Sequence, residues 1–445
     1  MFMWFGKITR PGIRRFSINS TSNKRATRPS EWDFRLEGER IPTGRPSPFV
    51  ASSFDVRARE GAMKRASPVI AVFGFLLFAQ STQAGWTPVK RLTWTPGESN
   101  NPAIAVDSSA KVHVFWSDNT PGYPGIYYKR STNAGLSWAP ALRLTGTVGT
   151  STRPAIAVDS SDGLHLVWSC DAPGNAEIYY GKSTDEGATW TRGRRLTWNS
   201  GNSSAPAIAV DSSGSIHVVW EDDNSGTGEI YYQKSTDGGE TWTSKKRLTW
   251  NPGLSYEPAI SVDASGNPQI AWVDGMTGNW EIYFRKGAGG GSTWPTSRRL
   301  SDTSGGSYAP SMAAYSAGNI QVFWSDDTPG NYEVYQTRTT DGGASWTISQ
   351  RMTWTSGESW WPANAFDSSN GLHLVWYDAT PGNFEIYYGK STDGGAVWTK
   401  ARRITWTSGY SADPAVAADP AANLHVVWMD DTPGNNEIYY RKFVQ

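Results

Sequence analysis

The chain has 445 residues, with 41 basic and 41 acidic side chains, one cysteine and 24 tryptophans. A single Cys170 excludes a disulfide framework and any cysteine-based zinc cluster, and the balanced charge removes the simplest argument for nucleic acid, whose binders carry a basic surplus. At roughly 150 residues per domain the length suggests three domains, an expectation that the internal repeats below replace with one.

The first 84 residues are set apart from the rest. The only long apolar run, residues 69–79, follows Met63-Lys64-Arg65 and precedes Ser81-Thr82-Gln83-Ala84. A basic start, a short apolar stretch and small residues at its end describe a secretory signal peptide over residues 63–84, cleaved near Ala84. The run is eleven residues long, too short to span a bilayer, which needs about 20. Such a leader is read from an N-terminus, so residues 1–62 are expected to be an over-long gene start or a disordered extension. Residues 1–84 hold 14 basic and 6 acidic side chains, leaving 27 against 35 and a net charge of −8 over residues 85–445. The mature chain is expected to be acidic, secreted or periplasmic, monomeric and without a membrane span, held by packing in the absence of cystines.

From residue 91 onward one unit recurs. Arg91-Leu92-Thr93-Trp94 returns at Arg143, Arg195, Arg247, Arg299, Arg351 and Arg403, always after 52 residues. Three strand-like segments follow each arginine. The first opens at Pro102 and its equivalents Pro154, Pro206, Pro258, Pro310, Pro362 and Pro414, proline being tolerated at a strand's first residue. The second is Val112-His113-Val114-Phe115-Trp116, and the third is Ile126-Tyr127-Tyr128, whose middle tyrosine is present in all seven copies. The Arg-Leu-Thr segment is the fourth. Four short antiparallel strands repeated seven times, separated by Gly-, Ser- and Asp-rich turns, predict an all-β, seven-bladed β-propeller over residues 85–445. The seventh copy ends after its third strand, so the segment from Trp86 to Trp94 is expected to complete the last blade and remove a sheet edge.

Between the third and fourth strands lie Ser183-Thr184-Asp185-Glu186-Gly187-Ala188-Thr189-Trp190 and its equivalents, carried by Ser235, Asp237, Gly239 and Trp242, by Asp341, Gly343 and Trp346, and by Ser391, Asp393, Gly395 and Trp398. Hydroxyl and carboxylate side chains bond nearby amides in such a turn, and glycine supplies positive φ. The pattern resembles the Asp-box, or BNR repeat, of the sialidase superfamily. Copy one has Asn133 in place of Asp, and copy four, from Gly287 to Trp294, keeps only the last Gly and the Trp. The resemblance implies a propeller whose boxes are structural turns facing away from the ligand side. It leaves open whether the chain is a sialidase, another glycosidase, a lectin or a non-catalytic secreted protein.

A sialidase of that superfamily uses an arginine triad, a tyrosine nucleophile activated by glutamate and an aspartate acid/base, which makes its site asymmetric. Here the arginine of the Arg-Leu-Thr segment and a basic residue at Arg130 and its equivalents recur in every copy, as structural ion pairs would. The histidines, His113, His165, His217, His373 and His425, all occupy one repeat position and read as strand residues, not as metal ligands or catalysts. The family's Phe/Tyr-Arg-Ile-Pro motif has no equivalent after Ala84; Arg40-Ile41-Pro42 lies before the leader.

Function is therefore sought where the copies differ. The residue before the strand-opening proline runs Asn101, Arg153, Ala205, Glu257, Ala309, Trp361, Asp413, a variable ring expected at the mouth of the central channel. Irregular aromatics, Trp280, Tyr332, Trp360 and Phe384, fall on loops of the same face. The repeated Trp94, Trp198, Trp250, Trp354 and Trp406 either pack between blades or stack on sugar rings, and the loop aspartates at Asp118 and its equivalents either close turns or accept sugar hydroxyls. The expected function is a secreted, non-catalytic scaffold that binds a glycan or an extracellular protein through Arg153, Glu257, Trp280, Tyr332, Trp360, Trp361, Phe384 and Asp413. The alternative is a sialidase-like glycoside hydrolase using Arg153, Glu257 and Asp413. No cofactor is expected; the acidic loops leave room for calcium, although no spacing matches a dedicated calcium loop.

Overall fold

A computed structural model describes residues 84–445 apart from residues 121, 147, 316 and 317. The expectations for residues 1–62 and for the leader up to Gln83 fall outside the described residues. Seven antiparallel sheets form, with no helix among the described residues. In blade 1 the order from the centre outward is Ser99–Val106, Val112–Asp118, Gly125–Ser131 and Leu142–Arg143. The inner strands of blades 2 to 7 are Ser151–Val158, Ser203–Val210, Ser255–Val262, Ser307–Ala314, Ser359–Phe366 and Ser411–Ala418.

The ring closes as the repeat register requires. Gly85–Trp86 and Lys90–Arg91 both pair with Glu437–Val444 of blade 7, in the registers Trp86↔Phe443 and Arg91↔Tyr439. Trp86 packs edge-on against Tyr388 of blade 6 at 5.2 Å, as Trp190 packs against Tyr128 of the preceding blade at 5.4 Å. The first described strands therefore serve blade 7 as its turn and outer strand.

Packing lies between blades. The second strand of each blade is buried except at Glu221, Tyr377 and Met429, and each core cluster joins two consecutive blades: Val114 and Trp116 of blade 1 meet Val427, Ile438 and Tyr440 of blade 7, and Val167 and Ile178 of blade 2 meet Val218 and Trp220 of blade 3. Burying one such large side chain is worth roughly 1.5–3 kcal/mol, so no blade is stable without its neighbours. The invariant middle tyrosine stacks across the ladder on the tryptophan that ends the second strand, as Tyr127 does on Trp116 at 6.0 Å and Tyr439 on Trp428 at 6.1 Å.

The repeated ions prove structural. Arg195, Arg247, Arg299, Arg351 and Arg403 each pair across strands with a glutamate that opens the third strand, Glu177, Glu229, Glu281, Glu333 or Glu385, and Arg91 pairs with Glu437 across the closure. Blade 1 has Gly125 where that glutamate stands elsewhere, and Arg143 turns instead to the carbonyls of Thr145, Tyr123 and Gly146. The five histidines are buried; each shares one ring nitrogen with a tyrosine hydroxyl and the other with an aspartate, as His217 does with Tyr232 at 2.8 Å and Asp211 at 3.2 Å.

In the turn between third and fourth strands, the Ser183 hydroxyl receives the Gly187 N–H at 2.8 Å and Asp185 receives the Thr189 N–H at 2.8 Å. The same bonds recur around Asp237, Asp341 and Asp393. By strand direction these turns lie on the face opposite the loops that join one blade to the next.

Candidate binding site at the channel mouth

The inner strand departs from the sequence expectation in a way that builds the site. It begins three residues before the proline, at Ser99 in blade 1, and its ladder shifts register between Asn100 and Ala103, so that Asn101 and Pro102 together face Trp116. The same bulge appears in all seven blades. Proline is admitted inside the strand because it sits at a bulge on a sheet edge, where no ladder donor is required. The residue before it is excluded from the right-handed helical region. In every blade it takes the left-handed one instead: Asn101, Arg153, Ala205, Glu257, Ala309, Trp361 and Asp413 have φ between 47° and 53°.

That kink turns all seven residues into one cavity of about 320 Å³ at the centre of the ring, floored by the seven prolines. The bulge also frees backbone donors from the ladder, and side chains of the preceding blade take them up. Glu221 accepts the Glu257 N–H at 3.3 Å, and the Ser325 hydroxyl accepts the Trp361 N–H at 3.1 Å. Glu257 in turn accepts the Ala309 N–H at 3.2 Å.

The cavity is electrostatically uneven. Burial pushes the Glu257 carboxyl up to about 7, against the pull of Arg153, with Glu221 adding to the rise. Burial likewise raises Asp413 to about 6, again opposed by Arg153. The Arg153 side chain is exposed to the cavity and acts on both carboxyls through space. Trp361 is 38% exposed in the same wall. A second, more polar pocket of about 250 Å³ adjoins the channel; Asn101 and Asp413 line both, and Glu98, Asn100, Asn119 and Thr152 share its wall with Ser117, Pro124 and Met429.

Arg153, Glu257, Trp361 and Asp413 are thus brought together, whereas Trp280, Tyr332, Trp360 and Phe384 are not part of the cavity. These four are half-buried and engage other rings in blades 4 to 6; Trp360 lies in the inner strand of blade 6 and not on a loop, because that strand starts before its proline. Trp280 meets Tyr256 edge-on at 5.2 Å, Tyr332 lies against Trp360 at 3.6 Å, and Phe384 meets Tyr377 at 5.0 Å. The loop aspartates close turns. Asp118 accepts the Thr120 N–H and the Ser99 hydroxyl, both at 2.8 Å, and is buried, as its equivalents are, leaving no oxygen for a ligand. The repeated Trp94, Trp198, Trp250, Trp354 and Trp406 do not pack between blades; they stand 65–68% exposed. Nothing in the sequence marked the bulge beyond the invariant proline itself, whose effect on the preceding residue was the available signal.

Among the described residues no group of three or more His, Cys, Asp or Glu side chains converges to hold a metal ion, and no helix is long and apolar enough to cross a membrane.

Comparison with protein-family models and with curated proteins finds no match. Among solved structures, an ulvan lyase of a polysaccharide lyase family, bound to a GlcA(1-4)Rha3S unit, aligns over 79% of this chain and 95% of its own at 12% identity, with a TM-score of 0.59. A protein of unknown function from Dyadobacter fermentans covers 80% and 99% at 11% identity and a TM-score of 0.48. The NanB sialidase of Streptococcus pneumoniae, as its K499G mutant, covers 79% and 70% at 12% identity and a TM-score of 0.46. At such identities the likeness to the lyase speaks for the propeller fold alone.

Proposed function

We propose that the protein is an exported, non-catalytic binding scaffold that takes a glycan at the channel mouth, on the face opposite the Asp-box-like turns. The observation that carries this reading is the ring itself: one constant backbone presents Arg153, Glu257, Trp361 and Asp413 to a single cavity, while the other ring positions are small or neutral. Trp361 supplies an apolar face for a sugar ring, Arg153 a charged donor for a carboxylate or hydroxyl, and the two carboxyls acceptors or donors according to their protonation. The polar side pocket beside Asp413 gives a second residue of the glycan a place to lie.

A glycoside hydrolase is the second reading, favoured by Glu257 and Asp413, whose raised carboxyls fall near 7 and 6, where a general acid serves best at neutral pH. Against it, the ring holds one arginine and no tyrosine, far from the triad and nucleophile that a sialidase site requires. The deciding experiment pairs a glycan array with hydrolysis of a fluorogenic sialoside. Binding lost in Arg153→Ala and Trp361→Ala, with no turnover, is the expected result; turnover abolished by Arg153→Ala would reverse the ranking.

A further inference from the structure

Five tryptophans remain outside the channel reading. Trp94, Trp198, Trp250, Trp354 and Trp406 each follow the outer strand of a blade by three residues, at the rim of the face on which the channel opens. All are 65–68% exposed, an unusual state for so large an apolar side chain, and none is loose. The arginine of the same strand lies over each ring at 5.6–6.0 Å. At three of them a cation from the next blade also lies over the ring: Lys129 at Trp94, Arg285 at Trp250 and Arg441 at Trp406. At Trp250 the boundary between blades 3 and 4 opens into a groove of about 250 Å³, lined with the indole by the polar Asn251, Thr296 and Ser297 and by the apolar Leu248, Met276 and Tyr283.

We infer that these tryptophans are saccharide platforms, a second set of sites at the blade boundaries that together hold a glycan of repeated pyranose units. A stacked cation fixes each ring's orientation before a ligand arrives, so little conformational freedom remains to be lost on binding. The platforms are single indoles, present in five of the seven blades. A membrane or a protein partner would favour a contiguous apolar patch; single exposed rings, with hydroxyl and amide groups in the groove at Trp250, suit the apolar face and polar rim of a sugar. Five sites at one repeat position favour a ligand that repeats, because linked sites add avidity of about 10²–10⁴ with no new contact. The copies at Gly146 and Asp302 lack the platform, so the blade folds without it.

This inference shares only its ligand class with the channel site, and the two separate experimentally. Affinity electrophoresis in gels containing galactomannan, xyloglucan or mixed-linkage β-glucan is the test, with thermal melting to confirm folding. At least one polysaccharide should retard the protein. Replacing the tryptophans by alanine one at a time should weaken retardation stepwise, to a loss of at least ~10-fold with all five gone, while the Arg153→Ala/Trp361→Ala variant keeps it. Should the five-fold variant fail to fold, Trp250→Asp and Trp198→Gly, which copy residues found at the two natural gaps, should each still weaken retardation. Retardation unchanged in folded variants, retardation by none of the three polysaccharides, or co-sedimentation with phosphatidylglycerol vesicles in their place would overturn the inference.

Discussion

The hydroxyl of Tyr128 in blade 1 occupies the space that a side chain at Gly187 in blade 2 would need. Tyr128 is held there by its 2.7 Å hydrogen bond to His113, and Gly187 has a φ of 80°. One contact thus joins a buried polar chain in one blade to the tight turn of the next.

Gly187→Ala should therefore destabilise the ring by on the order of 2–4 kcal/mol, from the left-handed backbone and the overlap with Tyr128 together. Chemical denaturation measures the loss. Adding Tyr128→Phe, which imitates Phe284 against Gly343, should restore part of it; a double variant no better than the single would show that the tyrosine is not the obstacle.

Closure rests on Glu437, whose buried carboxylate accepts from Arg91 and from the Thr95 amide, both at 2.8 Å. Glu437→Ala leaves that arginine without its partner and should cost about 3 kcal/mol, in the range for breaking a buried pair. Arg143 has no carboxylate partner; it bonds carbonyls and lies over the Tyr127 ring at 5.6 Å, so Arg143→Ala should cost less, about 1 kcal/mol. Deleting residues 85–94 should give an aggregating product by size-exclusion chromatography; a soluble monomer with an unchanged melting profile would count against closure as the source of stability.

The channel makes a distinct demand on pH. Glu257, raised from an ordinary 4.5 to about 7, is penalised when charged in the folded protein, so its contribution is intact below about pH 4.5 and is lost as pH rises through 7. Glu257→Gln should therefore melt close to the parent at pH 4.5 and be more stable at pH 8 by on the order of 1–3 kcal/mol. Equal melting at both values would place the carboxylate in contact with solvent.

The histidines act in the opposite direction. Burial lowers all five below the ordinary 6.5, against the pull of the aspartate that each one bonds. Their contribution is intact above 6.5 and is lost as pH falls, since the folded protein resists protonation that the unfolded chain accepts. Asp211, drawn down to about 2 by Ser213, by the Ser215 amide and by His217 against its own burial, adds a later loss in stronger acid. Blades 4 and 5 use Gln269 and Gln321 at the histidine position, with Phe284 and Gln336 at the position of the tyrosine. His217→Gln with Tyr232→Phe should accordingly fold and unfold at a lower pH than the parent in an acid titration followed by tryptophan fluorescence.

The strict period made the seven blades, their four strands and the closing segment legible in the sequence, because each copy repeats the same alternation and the same turn residues. The ring of Arg153, Glu257, Trp361 and Asp413 was legible as variation on a constant frame. Other features depended on contacts between copies, which no periodicity within one copy records. The docking of Trp190 on the preceding blade's Tyr128 and the tilted contact of Tyr332 with Trp360 of the next blade belong to that class. The exposure of Trp94 and its equivalents was hidden for a related reason: a recurring tryptophan resembles core in sequence, and only the stacked arginine shows that it is held outside.

The bulge before each proline separates the conformation of the channel mouth from its chemistry. Alanine, asparagine, arginine, glutamate, tryptophan and aspartate all adopt the same φ there, so the main chain is indifferent to what it displays. Seven addresses can be rewritten one by one without recutting the scaffold, which makes the mouth a natural alphabet for selection, in evolution or from a library, to spell new specificities.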